Sequence, residues 1–262
     1  MSAPAVLIEL DHGLLTITLN EPQSRNALTP EIEAGLLDGL RRAADPAVRA
    51  VLLTATGTAF CGGGNIREME ANETASAAQI RARADFMPSQ LWRPLYELAK
   101  PVIAAVNGWA VGAGMALMLA ADLRLASDRA QFRLGFSRLG LSPDMASAWM
   151  LPRLIGLASS LELMLTDRTL SAADAMALGV VHRVVAHDEL GTAAVALGRE
   201  LAAGPTVAFA ATKRLMHQSF EVDLDRAIAA EVATQAALLQ TRDHAIGVAA
   251  FRTRQPPHFE GR

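Results

Sequence analysis

The 262-residue sequence predicts an α/β fold with a helical C-terminal region, and three observations predict it. Two glycine-rich turns, Gly62-Gly63-Gly64 and the stretch from Gly108 through Gly112 to Gly114, each follow a short apolar run of buried-strand type, residues 50–54 and 102–106. An amphipathic helix pattern lies between the strand pattern of residues 14–19 and that of 50–54, and strand, helix, strand in this order implies a parallel sheet with a crossover. Beyond Gly204-Pro205 the apolar residues recur only at helical spacing.

In chain order, residues 6–10 and 14–19 read as strands joined at Asp11-His12-Gly13, a tight hairpin. Thr29-Pro30-Glu31 starts a helix, with Thr as cap, Pro at the first helical position and an acid in the first turn. Ile32, Leu36 and Leu40 give it one apolar stripe, and Asp45-Pro46 ends it. After the first glycine turn, the alanine-rich residues 68–85 predict a further helix. Residues 100–126 supply strand, turn, helix and strand. The stretch between Lys100 and Asp122 lacks charge over a length that could span a bilayer, but Pro101, Asn107, Gly108, Gly112 and Gly114 break it, so no membrane span is expected. From Ser147 onward the pattern is mostly helical, and Ser171 with Asp174 has the spacing of a capping box. Gly204-Pro205 divides a core of residues 1–203 from a helical region of residues 204–262. There Phe209, Met216 and Phe220 mark one helix face, and Leu224, Ile228, Val232 and Leu239 another, to be packed on the core or on a neighbouring subunit. The sequence holds no internal repeat.

Composition narrows the function. A formal charge of −3 and a pI near 6.1 leave no basic footprint for nucleic acid. A single cysteine, Cys61, excludes an intrachain disulfide and suits a reducing compartment, and residues 1–10 lack a signal-peptide pattern, so a cytoplasmic protein is expected. The histidines are scattered without metal-ligand spacing, and no metal is assigned. Gly112 and Gly114 lack the third glycine of a dinucleotide turn. Ser137 is one residue off a nucleophile elbow and reads as a loop serine, while Cys61 reads as a small buried residue. The paired turns are the positive signal. Stripped of side chains, they bring backbone N–H groups close to a bound group, and two such turns can aim two donors at one oxygen. Charge developing on a carbonyl requires that arrangement, and an enzyme is expected.

The wording of these segments resembles the crotonase superfamily, the enoyl-CoA hydratase/isomerase family. The resemblance rests on Arg25-Asn26-Ala27-Leu28, residues 59–69, 100–108 and 121–126, Gly140-Leu141-Ser142-Pro143-Asp144, Leu151-Pro152-Arg153-Leu154-Ile155-Gly156 and residues 175–185. It implies a spiral of β-β-α units ending in a trimerisation region, a homotrimer or dimer of trimers, and an acyl-CoA substrate. No separate cofactor is implied, because coenzyme A arrives within the thioester. By position, the amides of Gly64 and Ala113 would be the oxyanion donors. Arg25, Ala27, Leu28, Gly62, Gly63, Asn65, Ile66, Gly112, Met115, Phe136 and Met145 would line the substrate. Lys213 and the Arg25 loop are candidates for the CoA phosphates.

Two departures bear on the reaction. The glutamates that hold water in the hydratases are Ala116 and Phe136 here, whereas Asp144 stands where isomerase and dehalogenase branches carry an aspartate. One carboxylate suffices to remove a proton alpha to a thioester and return it at the gamma carbon, and such a base contributes roughly 10²–10⁴ in rate. The resemblance therefore implies a double-bond shift. Its alternatives are hydration with Asp144 and a second acid such as Glu68, displacement on an aromatic acyl-CoA through Asp144, and a catalytically silent acyl-CoA-binding homologue.

Overall fold

The computed structural model describes residues 3–65, 69–70 and 74–262. In chain order its elements are β1 Val6–Asp11, β2 Leu14–Leu19, α1 Pro30–Ala43, β3 Ala50–Ala55, β4 Ala59–Cys61 and α2 Ala77–Met87. A π-helical turn, Pro88–Trp92, then leads into α3 Arg93–Tyr96, β5 Val102–Val106, β6 Trp109–Val111, α4 Ala113–Leu119, β7 Leu123–Ser127 and β8 Gln131–Arg133. There follow α5 Ser147–Ile155, α6 Leu157–Thr166, β9 Leu170–Ser171, α7 Ala172–Leu178, β10 Arg183–Val185 and α8 Leu190–Ala202. The chain closes with α9 Thr206–Gln218, α10 Leu224–Leu238 and α11 Arg242–Thr253.

The strands form two sheets. A large one has the order β1-β2-β3-β5-β7-β10, and a small one the order β4-β6-β8-β9. Three rungs link them: β3 passes to β4, β5 to β6 and β7 to β8, each time leaving the large sheet and entering the small one after two or three residues. All pairings within this repeated part are parallel. The repeat lies in the path of the chain, not in its residues, so it leaves no mark in the sequence.

The local signals act as read. β1 and β2 pair antiparallel across His12-Gly13, with Asp11 opposite Leu14. The Thr29 hydroxyl accepts the Ile32 N–H at the start of α1, and Ser171 and Asp174 make the reciprocal capping box of α7. A second box, Ser76 with Gln79, starts α2 and went unread. The large sheet is covered on both faces, which accounts for its nearly continuous apolar strands. Val51, Leu53, Val102 and Ala104 join the main core, while Ala50, Leu52, Ile103 and Ala105 pack with Leu190 and Ala194 of α8. Every residue of α4 is buried, so the uncharged run before Asp122 is a core strand and a core helix. Among the described residues no helix is long and apolar enough to cross a membrane.

After Gly204 the chain folds back over the core. Lys213 on α9 donates to the Asp122 carboxylate at 2.9 Å. Arg49, just before β3, holds the Thr206 hydroxyl at 3.0 Å and the Phe259 carbonyl at 2.8 Å. α10 has no buried residue, and its Leu224, Ile228 and Val232 are 73, 48 and 64% exposed.

Candidate functional site

Both glycine turns lie at the C-terminal ends of adjacent small-sheet strands. After β4 the chain runs through Gly62, Gly63 and Gly64; after β6 it turns at Gly112 into α4. These two turns touch. Gly63 adopts φ +91°, and a β-carbon there would lie 2.6 Å from the Val111 carbonyl and 3.5 Å from the Ala113 nitrogen. One at Gly114 would lie within 2.7 Å of the Cys61 Cβ, so the first turn of α4 sits directly on β4. Only glycine permits this approach at either place.

Several amides around the contact are committed. Gly62 N–H donates to the Arg25 carbonyl at 2.8 Å, Leu28 N–H to Gly63 at 2.9 Å, and Gly112 N–H to Arg133 at 2.9 Å. Gly64 and the first turn of α4 differ: the N–H groups of Gly64, Ala113, Gly114 and Met115 have no hydrogen-bond partner among the described residues, and of the helix amides Ala113 is the one nearest the first glycine turn. Ala113 is the first residue of α4, where no intrahelical acceptor exists for its amide. Two donors on touching turns, with Gly64 and Val111 in the wall of one concavity, can together hold one partly charged oxygen.

Residues 25–28 form the facing wall, placed by Asn26. This fully buried side chain donates to the Thr56 and Ala59 carbonyls, both at 2.9 Å, and accepts the Glu21 N–H at 2.7 Å. Arg25 and Asn26 are both left-handed, with φ 56° and 53°, a conformation asparagine tolerates better than most residues. An open concavity of about 790 Å³ results, walled by Arg25, Ala27, Gly62, Gly64 and Asn65, with Trp109 and Arg133 beyond them. Its wall contains no carboxylate among the described residues.

The remaining predicted residues are placed differently. Leu28, Met115, Phe136 and Met145 are core residues, 3, 1, 7 and 2% exposed. Ala116 is fully buried, and its carbonyl accepts the indole N–H of Trp92 at 2.9 Å. Asp144 is not part of the concavity wall but stands on the loop from β8 to α5. Its carboxylate is exposed, yet the surrounding protein withholds enough water to push its pKa above the usual value; a hydrogen bond from its own N–H acts in the opposite sense. Met145 and Ala146, immediately after it, take left-handed φ of 44° and 58°, a strain characteristic of functional loops. Ile66 and Glu68 lie outside the described residues. Lys213 must be corrected: its ammonium is nearly buried in the pair with Asp122 and does not stand free for a phosphate. Burial drives the Cys61 thiol up to about 12, which makes it inert at neutral pH.

Sequence reasoning missed Asp167. Its carboxylate receives Arg133 Nε at 2.8 Å, Arg138 Nε at 2.9 Å and the Gly135 N–H at 2.7 Å. Burial would raise its pKa, but the hydrogen bonds from Arg133 and Gly135 and the charges of Arg133 and Arg138 outweigh that and hold it low. These contacts fix the loop that follows β8. Trp92 was missed as well, though an aromatic residue followed by Arg93-Pro94 carries no signal of a hydrogen bond to α4.

Comparison with known proteins agrees with this geometry. The sequence profile of the enoyl-CoA hydratase/isomerase family matches residues 9–262. The chain is 34% identical over 258 residues to 1,2-epoxyphenylacetyl-CoA isomerase of Escherichia coli, covering 98% of each. It is also 34% identical over 258 residues to the human mitochondrial enoyl-CoA hydratase domain-containing protein 2, covering 96% of this chain and 87% of that one. The crystal structure of an enoyl-CoA hydratase/isomerase from Cupriavidus metallidurans superposes with a TM-score of 0.93 at 33% identity, covering 100% and 98% of the two chains. Adjacent glycine turns, the three-rung spiral and matches along the whole chain lead to one conclusion: the protein belongs to the enoyl-CoA hydratase/isomerase family, the crotonase superfamily of enzymes.

Proposed function

We propose that the protein binds an acyl-CoA, holds the enolate of its thioester at the Gly64 and Ala113 amides, and shifts a double bond with Asp144 as the one acid/base. The carrying observation is the pair of uncommitted amides on touching turns, beside a concavity whose wall holds no carboxylate among the described residues. Loss of one such donor typically costs about 3–4 kcal/mol of transition-state stabilisation. Ala116 and Phe136 have no ionisable group with which to bind and activate water. Asp144 has one, and its raised pKa suits it to take a proton and return it. Coenzyme A enters within the substrate, and no other cofactor is called for. The exposed stripe on α10 supports contact with a further copy; a homotrimer or a dimer of trimers is the assembly proposed, and the cytoplasm the proposed compartment.

Incubation with 3-enoyl-CoA and 2-enoyl-CoA, followed by the absorbance of the conjugated thioester, tests the reaction. Interconversion of the two without uptake of solvent oxygen is expected; fast hydration would overturn it. The name of the Escherichia coli relative makes 1,2-epoxyphenylacetyl-CoA a second substrate to test. Replacing Asp144 by Asn should lower turnover by roughly 10²–10⁴ on whichever thioester reacts.

A further inference from the structure

A cavity of about 530 Å³ lies between the core and α9, away from the glycine turns. α4 fixes the separation: Ala113 is at one end of this helix, and Ala120, Ala121 and Asp122, just beyond the other end, form cavity wall. A helix of that length spans about 10 Å. Between those ends the Trp92 indole is fastened to the Ala116 carbonyl and stacks at 5.0 Å on Tyr96, which forms cavity wall.

The wall is mostly apolar, with Trp149, Phe209 and Phe220 prominent. Its charges do not balance. Arg124, Arg153 and Lys213 face a single carboxylate, Asp122, which already receives Lys213 at 2.9 Å and the Val102 N–H at 2.8 Å. Arg124 is the telling member. It is 3% exposed and donates from Nε to the Val180 carbonyl at 2.7 Å and from Nη1 to the Ala121 carbonyl at 2.6 Å. Among the described residues its Nη2 makes no hydrogen bond and has no carboxylate within ion-pair distance, yet it is not one of the sealed unpartnered atoms of the core, so it is open to the cavity. Burial of this guanidinium is costly and is offset only in part by the charge of Asp122, and a carboxylate is the partner that guanidinium geometry matches best. At the mouth, Arg153 lies 3.9 Å over the Trp149 ring, a second cation set on an aromatic face.

We infer that this cavity is a second ligand site, one that takes a free aliphatic or aryl carboxylic acid, its apolar body among the aromatic rings and its carboxylate toward Arg124 and Arg153. Volume and lining fit a small apolar ligand fixed by few polar groups.

Calorimetric titration of the intact protein in its native assembly with decanoate and with phenylacetate tests this, with decan-1-ol as the neutral counterpart. Saturable binding of the acids, at least tenfold tighter than the alcohol, is expected, and saturating butyryl-CoA should leave it unchanged. Thr212→Trp, which fills the cavity from its exposed edge, should abolish binding; Arg153→Met, at the solvent rim, should weaken it at least threefold. Equal affinity for acid and alcohol, displacement by butyryl-CoA, or indifference to both substitutions would overturn the assignment.

Discussion

At residue scale, Asp144 links turnover to stability. Because the folded protein raises this carboxyl, the native state binds protons more tightly than the unfolded chain, and stability falls as pH climbs through the ordinary carboxylate value toward the raised one. Above that window the cost persists in full. Asp144→Asn should therefore melt higher than the parent at pH 7 while losing activity, and the gap in midpoint should close below about pH 4. A variant that melts lower at pH 7 would contradict desolvation as the cause. Asn26 is the opposite case, a residue whose contribution is purely architectural. Asn26→Ala takes this partner from one buried carbonyl, Ala59, and from the part-buried Thr56 carbonyl and Glu21 N–H; about 1–3 kcal/mol should be lost in urea unfolding. Because Arg25 and Ala27 are carried by the same loop, KM for the thioester should rise in parallel.

At the scale of elements, the turn after β4 is specified by a contact and not by flexibility. Gly63→Ala would put a β-carbon 2.6 Å from the Val111 carbonyl at a positive φ, so the Gly64 amide must move. Turnover should drop about 10²–10³-fold, as when one oxyanion donor is lost, with far-UV circular dichroism unchanged. This is also where sequence reading succeeded and where it ended. The β-hairpin, the Thr29 cap, the Ser171 box and both glycine turns are local, and residues within four positions of each other encode them. Asn26 with Thr56, Arg133 with Asp167 and Trp92 with Ala116 join residues 24 or more apart, so no spacing rule could find them. The motif residues Met115, Phe136 and Met145 were legible as positions, but their burial in the core became visible only with the sheets assembled.

For the whole molecule, the exposed α10 stripe is large for a surface that faces water alone, and the proposed trimer would cover it. Ile228→Glu combined with Val232→Glu should shift the sedimentation coefficient from that of a trimer or hexamer to that of a monomer; a monomeric parent would refute the assembly. The spiral also has a chemical corollary. Gly135 follows β8 as Ala113 follows β6, one strand further along the small sheet. Its N–H is not uncommitted, for the Asp167 carboxylate rests against it at 2.7 Å. An anionic oxygen is thus already seated on the main chain at this level of the barrel-like stack, supplied by the polypeptide itself, and the scaffold accommodates that negative charge as a permanent resident.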